Sequence, residues 1–234
     1  MNRWLVHEER ASPNWDERTS PISMVVLHYT GMRTGEEALE RLCDREAGVS
    51  AHYFIDEAGK VTRLVPEDKR AWHAGKSYWR GITDVNSASI GIELVNPGHE
   101  WGYRAFPDAQ MEALLPLLAD LIDRHGVDPA NVVGHSDIAP SRKQDPGELF
   151  DWERLGRLRL ATRIPKPKMR LVYDNPGAFY LALERFGYDV SDGHAAVRAF
   201  QRRWRPNRID GEIDGQIGGL LFELLLERDL DRAR

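Results

Sequence analysis

The chain has 234 residues, of which 41% are hydrophobic and 29% charged, and its formal net charge is −5. This length suits one mid-sized domain or a catalytic domain with a small appendage, and the composition is typical of a soluble globular protein. The acidic balance argues against a nucleic-acid binder, which usually carries a basic stripe, so we expect no nucleic-acid partner.

The single cysteine and the first residues of the chain bear on its compartment. Cys43 cannot form an internal disulfide, and its helical surroundings favour a packing residue over a metal ligand. Residues 1–9 lack the apolar stretch of a signal peptide, and no run approaches membrane-spanning length. We therefore expect a protein without a membrane span in the cytoplasm, or in the periplasm if a leader was removed. We also expect a monomer.

The first 160 residues mix strand and helix signals, which predicts an α/β (α+β) fold with a central mixed sheet flanked by helices. The strand candidates are short, rich in Val, Ile, Tyr or Phe, and bounded by Gly, Asp or Pro: residues 24–30, 50–56, 60–65, 89–95 and 131–135. The segment from Asp56 to Gly59 is typical of a hairpin turn, so we expect the strands on either side to be antiparallel.

Three segments of the same region have helical patterns, residues 35–44, 108–125 and 151–160. The middle one carries apolar residues at helical spacing from Met111 to Ile122. Pro116 falls inside it and should kink the helix or remove a hydrogen bond. Pro107 and Gly126 stand where helices tolerate proline and where they stop.

The last third of the chain is different. Residues 164–168, with two prolines and two lysines, predict an extended, solvated linker, and only helical signals follow, over 179–186, 194–204 and 216–227. We predict a catalytic domain over residues 1–162, a linker over 163–175 and a small helical domain over 176–234. The Asp/Gly alternation of 210–215 lacks the terminal glutamate of an EF-hand, which favours a tight loop over a calcium site.

Two apolar strand candidates each end in a histidine, His28 and His135, and Asp145 follows in a loop bounded by proline. Each histidine alone is more simply a hydrogen-bonded core or rim residue. Two histidines and a carboxylate are a common ligand set for a catalytic zinc ion that leaves one position open for water. Because both histidines follow β-branched runs, we predict a zinc site where the two strand ends meet.

Two further charged residues fit catalysis at such a site. Alternation along 89–95 places Glu93 among apolar neighbours, where a carboxylate is costly unless it is paired or near a metal. It could be the general base that takes a proton from water, or the partner of a buried arginine. Lys143, two residues before Asp145, could stabilise an oxyanion or could be a solvated surface charge.

These residues belong to a series of short motifs: His28-Tyr29-Thr30, Ser50-Ala51-His52-Tyr53, Ala71-Trp72-His73-Ala74-Gly75, residues 89–96, Gly134-His135 and residues 142–152. In this order, over roughly residues 20–160, the series resembles the zinc-dependent N-acetylmuramoyl-L-alanine amidases. The similarity is to the AmpD/AmiD-like branch, which is related to bacteriophage T7 lysozyme and the peptidoglycan recognition proteins. The motif series therefore extends the resemblance well beyond the two histidines.

That resemblance implies a role for each residue of the site. His28, His135 and Asp145 match the family's Zn²⁺ ligands, Glu93 its catalytic glutamate, and Lys143 the lysine that stabilises the transition state. The expected reaction is hydrolysis of the amide bond between N-acetylmuramic acid and the L-alanine of a peptidoglycan stem peptide.

The resemblance also implies a substrate-binding region around the His73 loop. Trp79 and Asn86 lie in a similar segment, and Tyr29 directly follows His28. We expect these four residues to contact peptidoglycan or muropeptide fragments. His52, in contrast, is expected to be a structural or rim residue.

The tail has a resemblance of its own. Residues 197–204 and 209–215 are similar to the three-helix peptidoglycan-binding domain. Gln216-Ile217-Gly218-Gly219 replaces the small or Thr-Trp pair of that family, and glycines weaken the first turn of a helix. A tail that binds glycan and a tail that braces the catalytic domain are both compatible with this pattern.

Two other functions use similar residues. A muropeptide receptor on the same fold would lack ligands, whereas this chain has all three ligand positions and both catalytic side chains. A metallopeptidase would use similar chemistry, but the chain lacks a His-Glu-x-x-His helix. The sequence therefore favours a muropeptide amidase, acting on intact sacculus or on fragments with a 1,6-anhydro sugar.

Overall fold

The structure of the protein is a computed structural model, in which residues 5–232 are described. Residues 1–4 lie outside the described residues; they begin the predicted catalytic domain and belong to the segment on which the signal-peptide prediction rests. Residues 233–234, at the end of the predicted helical domain, also lie outside the described residues. Within the described part, no helix is both long and apolar enough to cross a bilayer.

Strands and helices alternate through the first two thirds of the chain, and helices alone follow. The strands are β1 (Glu8–Glu9), β2 (Trp15–Glu17), β3 (Met24–Tyr29), β4 (Tyr53–Ile55), β5 (Val61–Arg63), β6 (Lys69–Ala71), β7 (Ser89–Leu94) and β8 (Val132–Gly134). The helices are α1 (Gly35–Cys43), α2 (Val85–Ala88), α3 (Gly98–Trp101), α4 (Asp108–His125), α5 (His135–Ile138), α6 (Trp152–Arg157), α7 (Pro176–Phe186), α8 (Gly193–Trp204) and α9 (Gly215–Arg232). The predicted fold class, a central mixed sheet flanked by helices, is confirmed.

The main sheet has the strand order β1-β5-β4-β7-β3-β8, and β2 pairs with β6 in a separate ribbon. β4 and β5 are antiparallel, as the turn after Asp56 predicted. β3 runs parallel to both of its neighbours, β7 and β8. The carboxyl ends of these three strands therefore lie at the same edge of the sheet, where α/β folds commonly place their functional residues.

The two faces of β3 pack against different parts of the chain. Val25 and Leu27 belong to an apolar core that includes the buried residues of α4. Met24 and Val26, which point to the opposite face, share a core with buried residues of α7, α8 and α9. The C-terminal helices thus cover the face of the sheet that α4 leaves open.

The observed elements differ from the predicted ones mainly at their ends. β4 and β5 are shorter than predicted, and the predicted strand 131–135 stops at Gly134, because His135 begins α5. α6 is also shorter, whereas α7 and α9 are longer. Pro116 lies within α4, which continues through it. No strand pattern marks β1, β2 and β6, which are short and carry charged residues.

The segment between α6 and α7 is not a solvated linker throughout. Pro165 is buried, and the backbone N–H of Leu171 donates to Gly215 O at 2.9 Å. A Cβ atom at Gly218 would lie 1.9 Å from Leu171 O, and one at Gly219 would lie 2.3 Å from the carbonyl oxygen of Met169. The two glycines that weaken the predicted helix are therefore the residues that let this segment lie against α9.

Candidate metal centre

The parallel register of the sheet sets the site. His28 and Glu93 are directly paired residues on β3 and β7, so their side chains point to the same face. His135 follows Gly134, the last residue of β8, on the other side of β3. The loop after α5 brings Asp145 back to the same edge.

The three predicted zinc ligands converge. The Nδ1 atoms of His28 and His135 are 2.9 Å apart, and Asp145 Oδ2 lies 3.0 Å from the first and 3.1 Å from the second. All three side chains are buried. Among residues 5–232, a search of the histidine, cysteine and acidic side chains finds this one group with ligand atoms close enough to hold a metal ion.

The hydrogen bond on the far side of the His135 ring defines its tautomer. His135 Nε2 lies 3.0 Å from the carbonyl oxygen of Ala74. A carbonyl only accepts, so Nε2 carries the proton and donates it. His135 Nδ1 is left with a lone pair directed at the site.

A chain of three hydrogen bonds does the same for His28. Ser89 Oγ donates to Val85 O at 2.5 Å, so it accepts from His73 Nε2, which lies 3.2 Å away. His73 Nδ1 must then accept from His28 Nε2, at 3.0 Å. We assign the proton of His28 to Nε2 for this reason, and its Nδ1, like that of His135, presents a lone pair.

The donor set fits a zinc ion. Two bare imidazole nitrogens and a carboxylate oxygen within 3.1 Å would repel one another unless a cation lies between them. A tetrahedral zinc ion with bonds of about 2.0–2.1 Å separates its ligand atoms by about 3.3 Å, so shifts of a few tenths of an ångström would accommodate it.

The protonation states agree with that fit, because metal ligands must be deprotonated. Burial, reinforced by the neighbouring His135, lowers the pKa of His28 to about 4. Burial alone would raise the pKa of Asp145, but its position beside the imidazoles of His135 and His28 outweighs burial and holds the pKa below its ordinary value. A neutral His28 and an ionised Asp145 result at neutral pH.

Glu93 has an electrostatic environment opposite to that of Asp145. Its Oε2 atom is buried without a hydrogen-bond partner. Burial, followed by the negative charge of Asp145, raises its pKa well above the ordinary value, and the positive charge of Lys143 lowers it in part. Among the described residues no arginine pairs with Glu93, so the alternative of a buried salt bridge is not what the structure contains.

An open pocket of about 420 Å³ lies over these residues, and its lining includes Glu93, Lys143 and the three converging side chains. Tyr29 and His99 also line it, and the Tyr29 hydroxyl lies 2.9 Å from His99 Nδ1. Sequence analysis missed His99, because an isolated histidine in α3, a four-residue helix, has no pattern that marks it.

The four predicted substrate-binding residues occupy three different environments. Tyr29 lines the pocket. His73 also borders it, but both of its ring nitrogens are hydrogen-bonded, to His28 and Ser89. Asn86 lies behind the His73 loop, where its Oδ1 accepts from the backbone N–H groups of His73 and Ala74. Asn86 therefore supports the loop and is not part of the pocket lining.

Trp79 is the clearest correction. Its side chain is 2% exposed, and its ring packs edge-on against Phe186 and Tyr188, while its indole N–H donates to Asn131 Oδ1. It lies in the core that the sheet shares with the C-terminal helices. The expectation that Trp79 contacts substrate does not fit this position.

Two residue groups with simpler predicted roles agree with the structure. His52 is fully buried, and its Nδ1 accepts from the backbone N–H of Gly91, a structural contact. In the loop 210–215, Asp210 and Asp214 accept hydrogen bonds from the loop backbone and from arginines, and Asp214 also bonds the first turn of α9. Their oxygens are engaged in the tight loop that the sequence favoured.

Two histidines and an aspartate lie at one edge of a parallel sheet, beside a buried carboxyl group and a lysine. This arrangement is that of a metal-dependent hydrolase. The sequence pattern of the N-acetylmuramoyl-L-alanine amidase family matches residues 18–148. The chain belongs to this family, as its motifs predicted, and it is an amidase.

Individual relatives support the assignment. The N-acetylmuramoyl-L-alanine amidase AmiD of Escherichia coli is 37% identical over 222 residues, which cover 82% of this chain and 78% of the relative. The 1,6-anhydro-N-acetylmuramyl-L-alanine amidase AmpD of the same species is 46% identical over 171 residues, 64% of this chain and 91% of AmpD. The structure of E. coli AmiD in complex with the substrate anhydro-N-acetylmuramic acid-L-Ala-D-gamma-Glu-L-Lys has a TM-score of 0.80 and 33% identity, over 91% of this chain and 92% of that one.

Proposed function

We propose that the chain hydrolyses the amide bond between the lactyl group of N-acetylmuramic acid, including its 1,6-anhydro form, and the L-alanine of muropeptides. The observation that carries the proposal is the convergence of His28, His135 and Asp145 at the floor of a pocket that also contains Glu93 and Lys143. The substrate in the complex of the AmiD relative contains this bond. The biological role would be cell-wall recycling or remodelling.

His28, His135 and Asp145 would hold a zinc ion through His28 Nδ1, His135 Nδ1 and Asp145 Oδ2. Zinc in such a site acidifies water and polarises a carbonyl group. Hydrogen bonds to His73 and to Ala74 O place the ring proton of each imidazole on Nε2, so both Nδ1 atoms face the site. Hydrogen bonds of this kind orient ligand rings and raise their basicity.

Glu93 would act as general base and then as general acid. It accepts a proton from the water that attacks the amide carbonyl, and it returns that proton to the leaving nitrogen of L-alanine. The bond between the carbonyl carbon and nitrogen breaks, leaving a carboxylate on the lactyl group and a free amine. A raised pKa suits both steps, because an efficient acid-base catalyst has a pKa near the working pH.

Lys143 would stabilise the negative charge that develops on the carbonyl oxygen. It lines the same pocket as Glu93, and its charge is close enough to lower the pKa of both Glu93 and His28. A fixed positive charge in a partly buried site acts without reorganisation during the reaction.

Cleavage of a purified muropeptide, followed by chromatography and mass spectrometry, tests the proposal. We expect a chelator to stop cleavage and added Zn²⁺ to restore it. His28→Ala should be inactive, and His194→Ala, which changes an exposed histidine of α8, should be active. Cleavage by His28→Ala at the wild-type rate would refute the assignment, and muropeptide binding without cleavage by the zinc-loaded wild type would favour a receptor.

The substrate form needs its own experiment. Products from whole sacculi and from anhydro-muropeptides can be compared at equal concentration of cleavable bonds. We propose fragments with the 1,6-anhydro sugar as substrates, on the similarity to AmpD and AmiD. A preference for sacculi would instead support glycan binding by the C-terminal helices, which stays a prediction.

A further inference from the structure

Arg203, near the end of α8, is buried against the part of the catalytic region that carries His135. Its Nη1 atom donates to Asp137 Oδ2 at 2.6 Å, and its Nη2 donates to the carbonyl oxygen of Val132 at 3.0 Å. Its guanidinium group lies 3.9 Å from the ring centre of Trp152. One side chain of the C-terminal helices therefore contacts β8, α5 and α6.

Asp137, the partner of Arg203, receives two further hydrogen bonds. Its Oδ2 accepts from the backbone N–H of Gly134 at 2.8 Å, and its Oδ1 accepts from the Tyr188 hydroxyl at 2.5 Å. The Asp137 side chain is fully buried. Its two oxygens thus join the corner between β8 and α5 to two residues of the C-terminal region, Arg203 and Tyr188.

The corner that Asp137 holds contains one predicted ligand and contacts another. Gly134 and Asp137 flank His135 within it. A Cβ atom at Gly134 would lie 2.7 Å from Pro146 Cδ, so the corner packs tightly on the residue after Asp145. The backbone N–H of Ser136 also donates to Asp145 O at 2.8 Å. The position of the corner therefore determines the positions of both His135 and Asp145.

We propose that Arg203 and Tyr188 are positioning residues of the metal centre: through Asp137 they hold the 134–137 corner so that His135 and Asp145 stay at ligand distance. The C-terminal helices are then a structural part of the catalytic site. This inference rests on the proposed zinc site. A buried carboxylate without its cation is strongly unfavourable, so loss of Arg203 displaces Asp137, and the corner with it, toward solvent.

The test is the zinc dissociation constant of the full-length protein, measured by competition with a chromogenic chelator. Arg203→Met should weaken zinc binding by about 10–100-fold, the usual effect of losing support behind a ligand. Arg205→Met is the matched control. Arg205 is equally buried, but its ion pairs, with Asp210 and Asp214, stay within the C-terminal region. It should keep the wild-type constant within about twofold.

Each result has one meaning. Wild-type zinc affinity in folded Arg203→Met, or equal losses in the Arg203 and Arg205 variants, would overturn the inference. His28→Ala separates it from the zinc site itself. If His28→Ala and wild type bind zinc equally, the zinc site is wrong; if His28→Ala loses zinc and Arg203→Met does not, only the positioning role is wrong.

A smaller change covers the case in which Arg203→Met does not fold. Tyr188→Phe removes only the hydroxyl that donates to Asp137, and Tyr180→Phe is its control on α7. We expect a loss of zinc affinity of a few-fold for Tyr188→Phe and none for Tyr180→Phe. Equal affinities in the two variants would overturn the positioning role of Tyr188 and, without a folded Arg203 variant, the inference as a whole.

Discussion

The two histidines of the site are supported in different ways. His28 lies on β3, an inner strand with six residues and a partner on each side, and its ring is oriented by His73 and Ser89. His135 follows β8, a three-residue strand at the edge of the sheet. Its corner is held by Asp137 with Arg203 and Tyr188 from the C-terminal region.

The difference follows from position in the sheet. An inner strand is fixed by two ladders of hydrogen bonds, so His28 needs only a local chain to set its tautomer. A short edge strand has one ladder and unpaired backbone groups on its other side. Arg203 satisfies one of these groups, Val132 O, and at the same time neutralises Asp137. The ring of the inner ligand is oriented by residues near β7, and the corner of the edge ligand is held by residues of the C-terminal helices.

The largest effect on the reaction rate is expected at Glu93, which lines the same pocket as the three predicted ligands. Glu93→Gln keeps the shape of the side chain but cannot accept a proton, so the rate should fall by about 10²–10⁴-fold. Zinc affinity should change far less, because Glu93 is not among the converging ligands. Steady-state kinetics and chelator competition give the two values. Glu100→Gln, at the rim of the same pocket, is the control and should remain active.

Gly91→Ala should disturb the residues that orient His28 and leave those that support His135 unchanged. A Cβ atom at Gly91 would lie 2.5 Å from His73 Cγ, so the ring must move away from His28. We expect zinc affinity to fall by about 10–100-fold, with a stability loss of about 1–3 kcal/mol from overpacking. Gly156→Ala, whose Cβ would lie 2.8 Å from Arg163 Cα, should lose stability without losing zinc. Equal zinc loss in both variants would contradict a specific role for His73.

Ser89→Ala makes a smaller change to the hydrogen bonds that orient His28. Without Ser89 Oγ, His73 Nε2 loses its acceptor, and the direction of the hydrogen-bond chain is no longer imposed. Zinc affinity should fall only a few-fold, because zinc itself selects the bare Nδ1 of His28. Nitrogen NMR of the metal-free protein should show mixed His28 tautomers in Ser89→Ala. Ser87→Ala, which removes a buried hydroxyl that accepts from Thr19 N, should leave His28 in one tautomer.

The contrast also explains what the sequence could predict. The inner strand β7 follows an apolar pattern of period two, and that period places Glu93 on the face of His28 once β3 and β7 are in register. The link between Asp137 and Arg203 joins residues 66 positions apart and leaves no local pattern. Trp79 shows the same limit: its motif suggested a substrate contact, but its surroundings come from Phe186 and Tyr188.

The smallest effect on activity is expected from a partly buried cluster of charged residues that lies away from the metal centre. Glu67 accepts hydrogen bonds from Arg124 and from Tyr53, and His125 lies within the same cluster. Burial raises its pKa, but the hydrogen bonds from Arg124, Tyr53 and His125 outweigh burial and bring the pKa to about 2. Glu67 is not among the residues that line the pocket.

The sign of the pH dependence follows from that shift. The pKa of Glu67 is lower in the folded state than in the unfolded state, so its contribution to stability is present above about pH 4.5 and is lost as the pH falls toward 2. Glu67→Gln should lower the free energy of unfolding at pH 7 by about 1–2 kcal/mol and should lose less further stability between pH 5 and pH 3 than the wild type. Urea denaturation of the metal-free proteins measures both.

Glu57→Gln is the control. It removes an exposed ion pair with Arg104 and should change the free energy of unfolding by less than about 1 kcal/mol at either pH. Zinc affinity should be unchanged in both variants, because only side chains that hold the β3 or β8 ends are expected to affect it.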